Sequence, residues 1–152
     1  MSRWHRDDLA ATAVDDALTD SDPWHGFCGF IERVCQMQAD DRGFADVLTL
    51  TFPTAKGLEE ERDRSAKAVA KLLIRAKASG RLRKDFAHQD VPPILMANAG
   101  VVMATKEAAP EAWRRLVGYL LQAFAAERAE PLPEPPTKAQ MYRALMRLSP
   151  AD

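Results

Sequence analysis

Leu72-Leu73-Ile74-Arg75-Ala76-Lys77-Ala78-Ser79-Gly80-Arg81-Leu82-Arg83-Lys84-Asp85, followed at Asp90 by a second apolar run, carries the clearest signal for how the chain folds. An amphipathic helix stops at a glycine, a short basic turn follows, and an aspartate opens the next helix, which is ordinary helix-stop and helix-start grammar. Gly80 is expected to take a left-handed cap conformation, with Leu82 folding back onto the last turn. Upstream, the stripe Ala66, Val69, Leu72, Leu73 and Ala76 lies on a helix that begins near Leu58. Its Glu59, Glu60 and Glu61 suit the positive end of the helix dipole, and its later basic residues suit the negative end. Downstream, Asp90 is expected to cap a helix that holds Pro92 and Pro93 in its first turn and continues through Ile94, Leu95, Met96, Asn98, Val101, Val102 and Met103.

The same period extends in both directions. A first helix is predicted from about Trp4 to Leu18, with Leu9, Ala13, Ala17 and Leu18 on one stripe. Thr19-Asp20-Ser21 breaks it, and Asp22-Pro23 opens a second helix. Trp24, Phe27, Cys28, Phe30, Ile31, Val34, Cys35 and Met37 cover more than one face there, so burial on two sides is predicted up to Gly43. Phe44 to Phe52 reads as a brief buried helix ending at Pro53. Ala109-Pro110-Glu111 begins a helix whose Trp113, Leu116, Val117, Leu120, Leu121 and Phe124 recur at helical steps. Pro131, Pro133, Pro135 and Pro136 predict an extended linker, and Thr137 with Gln140 predicts a capping box for a last short helix carrying Met141, Tyr142, Leu145 and Leu148. No strand or hairpin pattern competes with these. The predicted class is all-α, an antiparallel bundle of about six to seven helices.

Composition restricts the function. The 152 residues are 47% hydrophobic, enough for one domain with one core, and the formal net charge is −1. That balance argues against a free-standing nucleic-acid binder, which needs clustered Lys and Arg for phosphate contacts. No window approaches the ~20 unbroken apolar residues of a membrane helix, and no signal-peptide pattern opens the chain. A cytoplasmic location and no membrane association are therefore expected. Cys28 and Cys35 fall on one side of one helix among apolar residues, as two buried, reduced thiols would.

The residue types that carry catalysis do not assemble. Gly26 and Gly29 lack the lysine or third glycine of a phosphate loop. His5, His25 and His88 have no partner at metal-ligand spacing. The pairs Asp7-Asp8, Asp15-Asp16 and Asp40-Asp41 point in different directions on a helix. No enzyme activity, metal or cofactor is expected. The Phe, Met and Cys side chains fit either a plain packed core or the lining of a cleft for a hydrophobic ligand. Asn98 needs a hydrogen-bond partner on an apolar face, either a backbone group or a ligand, and Gln36 and Gln38 leave the same choice open. The Trp113 to Phe124 stripe fits the domain's own core or pairing with a second copy.

From Asp22 to Leu121 the chain resembles the C-terminal, ligand-binding half of TetR-family transcriptional repressors. The resemblance rests on Asp22-Pro23-Trp24 with Phe27 and Phe30, and on Arg42-Gly43. It also rests on Arg75-Ala76, Gly80 through Asp85, Asp90, and Trp113-Arg114-Arg115-Leu116. It implies a ligand-binding and dimerisation domain over 1–128, with 1–20 as the remnant of a connecting helix, a proline-rich linker over 129–136, and a short helix and tail over 137–152. It implies a homodimer formed by roughly Asp90 to Thr105 and Pro110 to Glu127, with Trp113, Leu116, Val117, Leu120, Leu121 and Phe124 at the interface. It also implies a pocket for a small hydrophobic ligand, carried onto Phe27, Phe30, Ile31, Val34, Met37, Phe44, Leu48, Phe52, Leu73, Met96, Asn98 and Val102. The family reads DNA through an N-terminal helix-turn-helix. Here the first 22 residues hold Arg3 and Arg6 against Asp7, Asp8, Asp15, Asp16, Asp20 and Asp22, which cannot read DNA. DNA binding is thus expected only through a head outside these residues, whether removed or naturally absent. The rival reading is a helical protein-protein adaptor without a pocket.

Overall fold

The computed structural model describes residues 12–40 and 59–148. Helix α1 covers 12–19, followed by α2 (Pro23–Asp40), α3 (Glu59–Ala78), α4 (Val91–Thr105), α5 (Ala112–Phe124) and α6 (Lys138–Leu148). The chain is all-α, as its periodicity predicts. Residues 4–11 of the predicted first helix and the whole Phe44 to Phe52 segment lie outside the described residues. No helix among the described residues is long and apolar enough to cross a membrane.

Helix α2 is the centre of the packing, because it touches α3, α4 and α5. Its start is set locally. The Asp22 carboxylate accepts hydrogen bonds from the Trp24 and His25 amides at 3.1 and 3.3 Å, and Pro23 occupies a position whose N–H has no helical partner. Phe27, Phe30, Ile31, Val34 and Cys35 are all buried, which is the two-sided burial their spacing calls for.

Helix α3 buries Val69, Leu72, Leu73 and Ala76, then stops at Gly80, whose φ of 81° is the left-handed cap a side chain would disfavour. The Gly80 amide returns to the Lys77 carbonyl at 2.9 Å and the Leu82 amide to the Ala76 carbonyl at 3.4 Å, so Leu82 is fully buried against the turn it closes. From there the backbone straightens and pairs with the end of α5. The Arg83 amide donates to the Phe124 carbonyl at 2.9 Å, and the Ala126 amide to the Arg81 carbonyl at 2.7 Å. This antiparallel bridge between Leu82 and Ala125 is a local extended pairing that helical periodicity does not foresee. It also corrects the expected end of the helix near Glu127. Ala125 turns extended (φ −66°, ψ 134°) to meet the bridge, and α5 ends at Phe124.

Asp90 calls for a second correction. It does not cap α4 through its side chain, because a 3₁₀ turn over His88–Asp90 runs straight into the helix and Asp90 is already helical. The carboxylate reaches back instead and accepts from the Ala87 amide at 2.8 Å, closing the turn one step earlier. The capping box of α6 forms as expected. The Gln140 amide donates to Thr137 Oγ1 at 3.1 Å, and the Thr137 amide to Gln140 Oε1 at 2.9 Å. Met141 and Leu145 are buried, while 131–135 are exposed.

Helix α1 is fastened at its C-terminal end. The Arg75 guanidinium of α3 donates to the Leu18 carbonyl and, at 3.3 Å, to the Asp20 carbonyl, two acceptors the helix itself cannot satisfy. Arg33 of α2 reaches Asp16 at 2.8 Å. Ala13, Val14 and Ala17 face the core.

Candidate functional site

Two buried carboxamides join α2 to α4. Gln38 and Asn98 are 2% and 0% exposed. Gln38 Nε2 donates across the seam to the Leu95 carbonyl at 3.1 Å. Asn98 Nδ2 donates in the opposite direction, to the Cys35 carbonyl at 3.2 Å and to Gln38 Oε1 at 2.8 Å. Each helix thus lends a side chain to the other's backbone, and the two amides meet in between. Asn98 Oδ1 is buried and has no hydrogen-bond partner among the described residues.

Beside this seam runs a groove of about 240 Å³, lined by Gln38, Ala39, Asp40, Ala99, Val102, Met103 and Lys106. A wider groove of about 410 Å³ lies between α2 and α5, over Trp113, Val117 and Gly118. Arg114, which reaches Gln36 at 2.8 Å and stacks 4.9 Å from the Trp113 ring centroid, forms part of its wall.

Helix α4 carries no charged residue from Val91 to Thr105. Its inner face, Val91, Ile94, Leu95, Asn98 and Ala99, is buried, yet Pro93, Ala97, Gly100, Met103 and Ala104 are open. A helix apolar all round is ordinarily covered on every side. On α5 the open positions are Arg114, Arg115, Tyr119, Gln122 and Ala123, with Leu116 and Leu120 half-buried beside them.

A family model described as the C-terminal domain of SbtR-like transcriptional regulators matches residues 22–124. The chain belongs to this TetR-type family. A comparison with curated proteins finds no match. Residues 22–124 are thus the C-terminal domain of an SbtR-like transcriptional regulator.

The SbtR-like domain brings many of the expected ligand-site residues together, but as core. Phe27, Phe30, Ile31, Val34, Leu73 and Asn98 are buried, and Met37, Met96 and Val102 are half-buried at the edge of the same cluster. Phe44, Leu48 and Phe52 lie outside the described residues. Of the residues expected at a dimer contact, Trp113 and Val117 turn inward and are 3% and 2% exposed, so they have almost no surface to offer. Phe124 packs edge-on against Phe86 and Phe27, with centroids 4.9 and 6.4 Å apart, inside the protomer. Leu116, Leu120 and Leu121 are half-buried. Gln38 is the polar residue of the seam that sequence reasoning leaves unplaced. Its signal is position: it continues the buried row Phe27, Ile31 and Val34 at helical steps.

Burial governs the thiols. Loss of hydration pushes Cys28 up to about 11 and the more deeply placed Cys35 up to about 12, with Glu32 adding to both. Among the described residues there is no cluster of three or more His, Cys, Asp or Glu side chains that could hold a metal.

Proposed function

We propose that this domain senses a small, largely apolar molecule and works as a homodimer, coupling ligand occupancy to a DNA-binding head. The supporting observation is α4, whose inward face holds the Asn98 seam while its outward face, charge-free and built of small residues, is left open. Ala97, Gly100 and Ala104 allow a partner helix to approach closely, and Leu116, Tyr119 and Leu120 of α5 extend the same face. Two such helices from each copy make a four-helix interface that covers what one protomer leaves bare.

The ligand in this reading enters at the α2–α4 seam beside Asn98 and Val102, with Met37, Met96, Phe30, Ile31, Val34 and Leu73 behind it. Half-buried methionines give such a lining room to adapt. One helix arrangement binds the ligand better than another, so occupancy shifts the population between them. Helix α1, tied to α2 through Arg33 and to α3 through Arg75, carries the shift toward the head.

Light scattering on the Gly100→Glu variant tests the dimer. A Cβ at Gly100 meets nothing within 4 Å inside the protomer, so the variant folds, and it is expected to be monomeric where the parent is dimeric. An unchanged dimer overturns this interface.

A further inference from the structure

Asn98 is fully buried, and its Nδ2 spends both hydrogens, one on the Cys35 carbonyl and one on Gln38 Oε1. Its Oδ1 accepts from nothing among the described residues. Flipping the amide is no remedy, because it would set Oδ1 against two other acceptors, Cys35 O and Gln38 Oε1, and forfeit both bonds. A buried acceptor without a donor is destabilising, and a leucine of similar size would avoid the cost. Apolar packing alone therefore does not account for the residue.

Asn98 does not itself line the groove between α2 and α4, and its Oδ1 is closed off behind Gln38, but its neighbours do line it. Gln38, its hydrogen-bond partner, lines the groove of about 240 Å³ between α2 and α4, together with Ala99, next in sequence, and Val102, one helical turn on. That volume exceeds the roughly 150 Å³ cavity that admits benzene. We propose that the ligand of this domain carries a hydroxyl or N–H donor on an apolar, single-ring-sized body, and that Asn98 Oδ1 accepts that hydrogen. The ring lies along Ala99, Val102 and Met103 with its donor turned inward past Gln38. The inference rests on the sensing role proposed above and narrows it: the guest is not a plain hydrocarbon.

The test compares three probes of nearly equal shape by titration calorimetry on the full 152-residue chain: 4-ethylphenol, its methyl ether 4-ethylanisole, and ethylbenzene. 4-Ethylphenol is expected to bind about tenfold more tightly than either analogue, the size of effect one satisfied buried acceptor gives. In Asn98→Leu the three should bind alike. If the leucine variant does not fold, nitrogen-edited NMR on the unmodified chain decides: 4-ethylphenol should shift the Asn98 side-chain amide resonances, and ethylbenzene at equal occupancy should not. Equal affinity of all three for the parent chain, or a phenol preference that survives Asn98→Leu, overturns the inference but leaves the sensing role standing. No binding by any of the three overturns both.

Discussion

Gly26 of α2 sits so close to Ala17 of α1 that a Cβ on the glycine would meet the Ala17 carbonyl oxygen at 2.5 Å. The opposing atom is backbone and cannot swing aside, so the distance between the two helices is set by the missing side chain. Gly29, one turn further on, has nothing within 4 Å of the same point.

The two glycines should therefore respond in opposite directions to alanine. Gly26→Ala is expected to cost about 1–3 kcal/mol through overpacking. Gly29→Ala is expected to gain roughly 0.5–1 kcal/mol from helix propensity alone. Urea unfolding of both variants checks this, and a Gly26→Ala protein as stable as the parent would show that α1 does not press on α2.

Arg83 is a second point of leverage. It is 6% exposed, holds both oxygens of Asp85 at 2.5 and 3.0 Å, and donates to the carbonyls of Ala123 at 3.3 Å and Glu130 at 2.6 Å. Arg83→Leu should lower stability by about 2–3 kcal/mol, since charged hydrogen bonds to three partners go at once. Arg83→Lys should recover little, because one ammonium cannot span that fork. Full recovery by lysine in chemical denaturation would reduce the contact to simple charge.

Both thiols should be slow nucleophiles. With Cys28 pushed up to about 11 from an ordinary 9.0, its thiolate fraction at pH 8 is roughly a hundredfold lower than that of a free cysteine. Cys35, at about 12, should lag further. Iodoacetamide labelling followed by mass spectrometry measures the rates. Labelling of the folded chain as fast as of the urea-unfolded chain would contradict the burial described for α2.

The His25–Asp20 pair gives the α1–α2 junction a pH dependence. Asp20 Oδ2 lies 2.6 Å from His25 Nδ1. The hydrogen bond that His25 Nδ1 donates to the Asp20 carboxylate raises the histidine, and the same bond lowers the aspartate. A raised histidine contributes fully below its ordinary 6.5 and loses the contribution as pH climbs through its folded value. A lowered aspartate contributes above its ordinary 3.8 and loses the contribution as pH falls through its folded value. The pair should hold best between these limits, weakly because it is exposed. Proton NMR of His25 should show titration above 6.5, and Asp20→Asn should bring it down. No change in that variant would dissolve the pair.

Most of the fold is legible in the sequence where its cause is local. Asp22, Gly80 and the Thr137–Gln140 box act within a few residues, and each does what its type and place imply. Asp90 is misread because the helical turn begins three residues earlier than the apolar run announces. The end of α5 is hidden for a different reason: its partner strand, Arg81 to Arg83, lies far away along the chain, and helical periodicity carries no trace of it. The same holds for the candidate site. A stripe from Trp113 to Phe124 tells that one face of α5 is apolar, but not whether the protomer or a second copy covers it. For Trp113 and Val117, the protomer does. Asn98 stands out as a polar residue in an apolar run, whereas the reciprocity with Gln38 appears only once α2 and α4 lie side by side.

The family match closes at residue 124, yet the Ala126 amide is held by Arg81 and the Glu130 carbonyl by Arg83. A shortened protein ending at the conventional boundary would leave a buried guanidinium and a sheet-like edge without their counterparts. Whoever trims this domain for crystallisation or fusion should keep the chain beyond Glu130 and through α6, because Met141 and Leu145 of that helix are also buried.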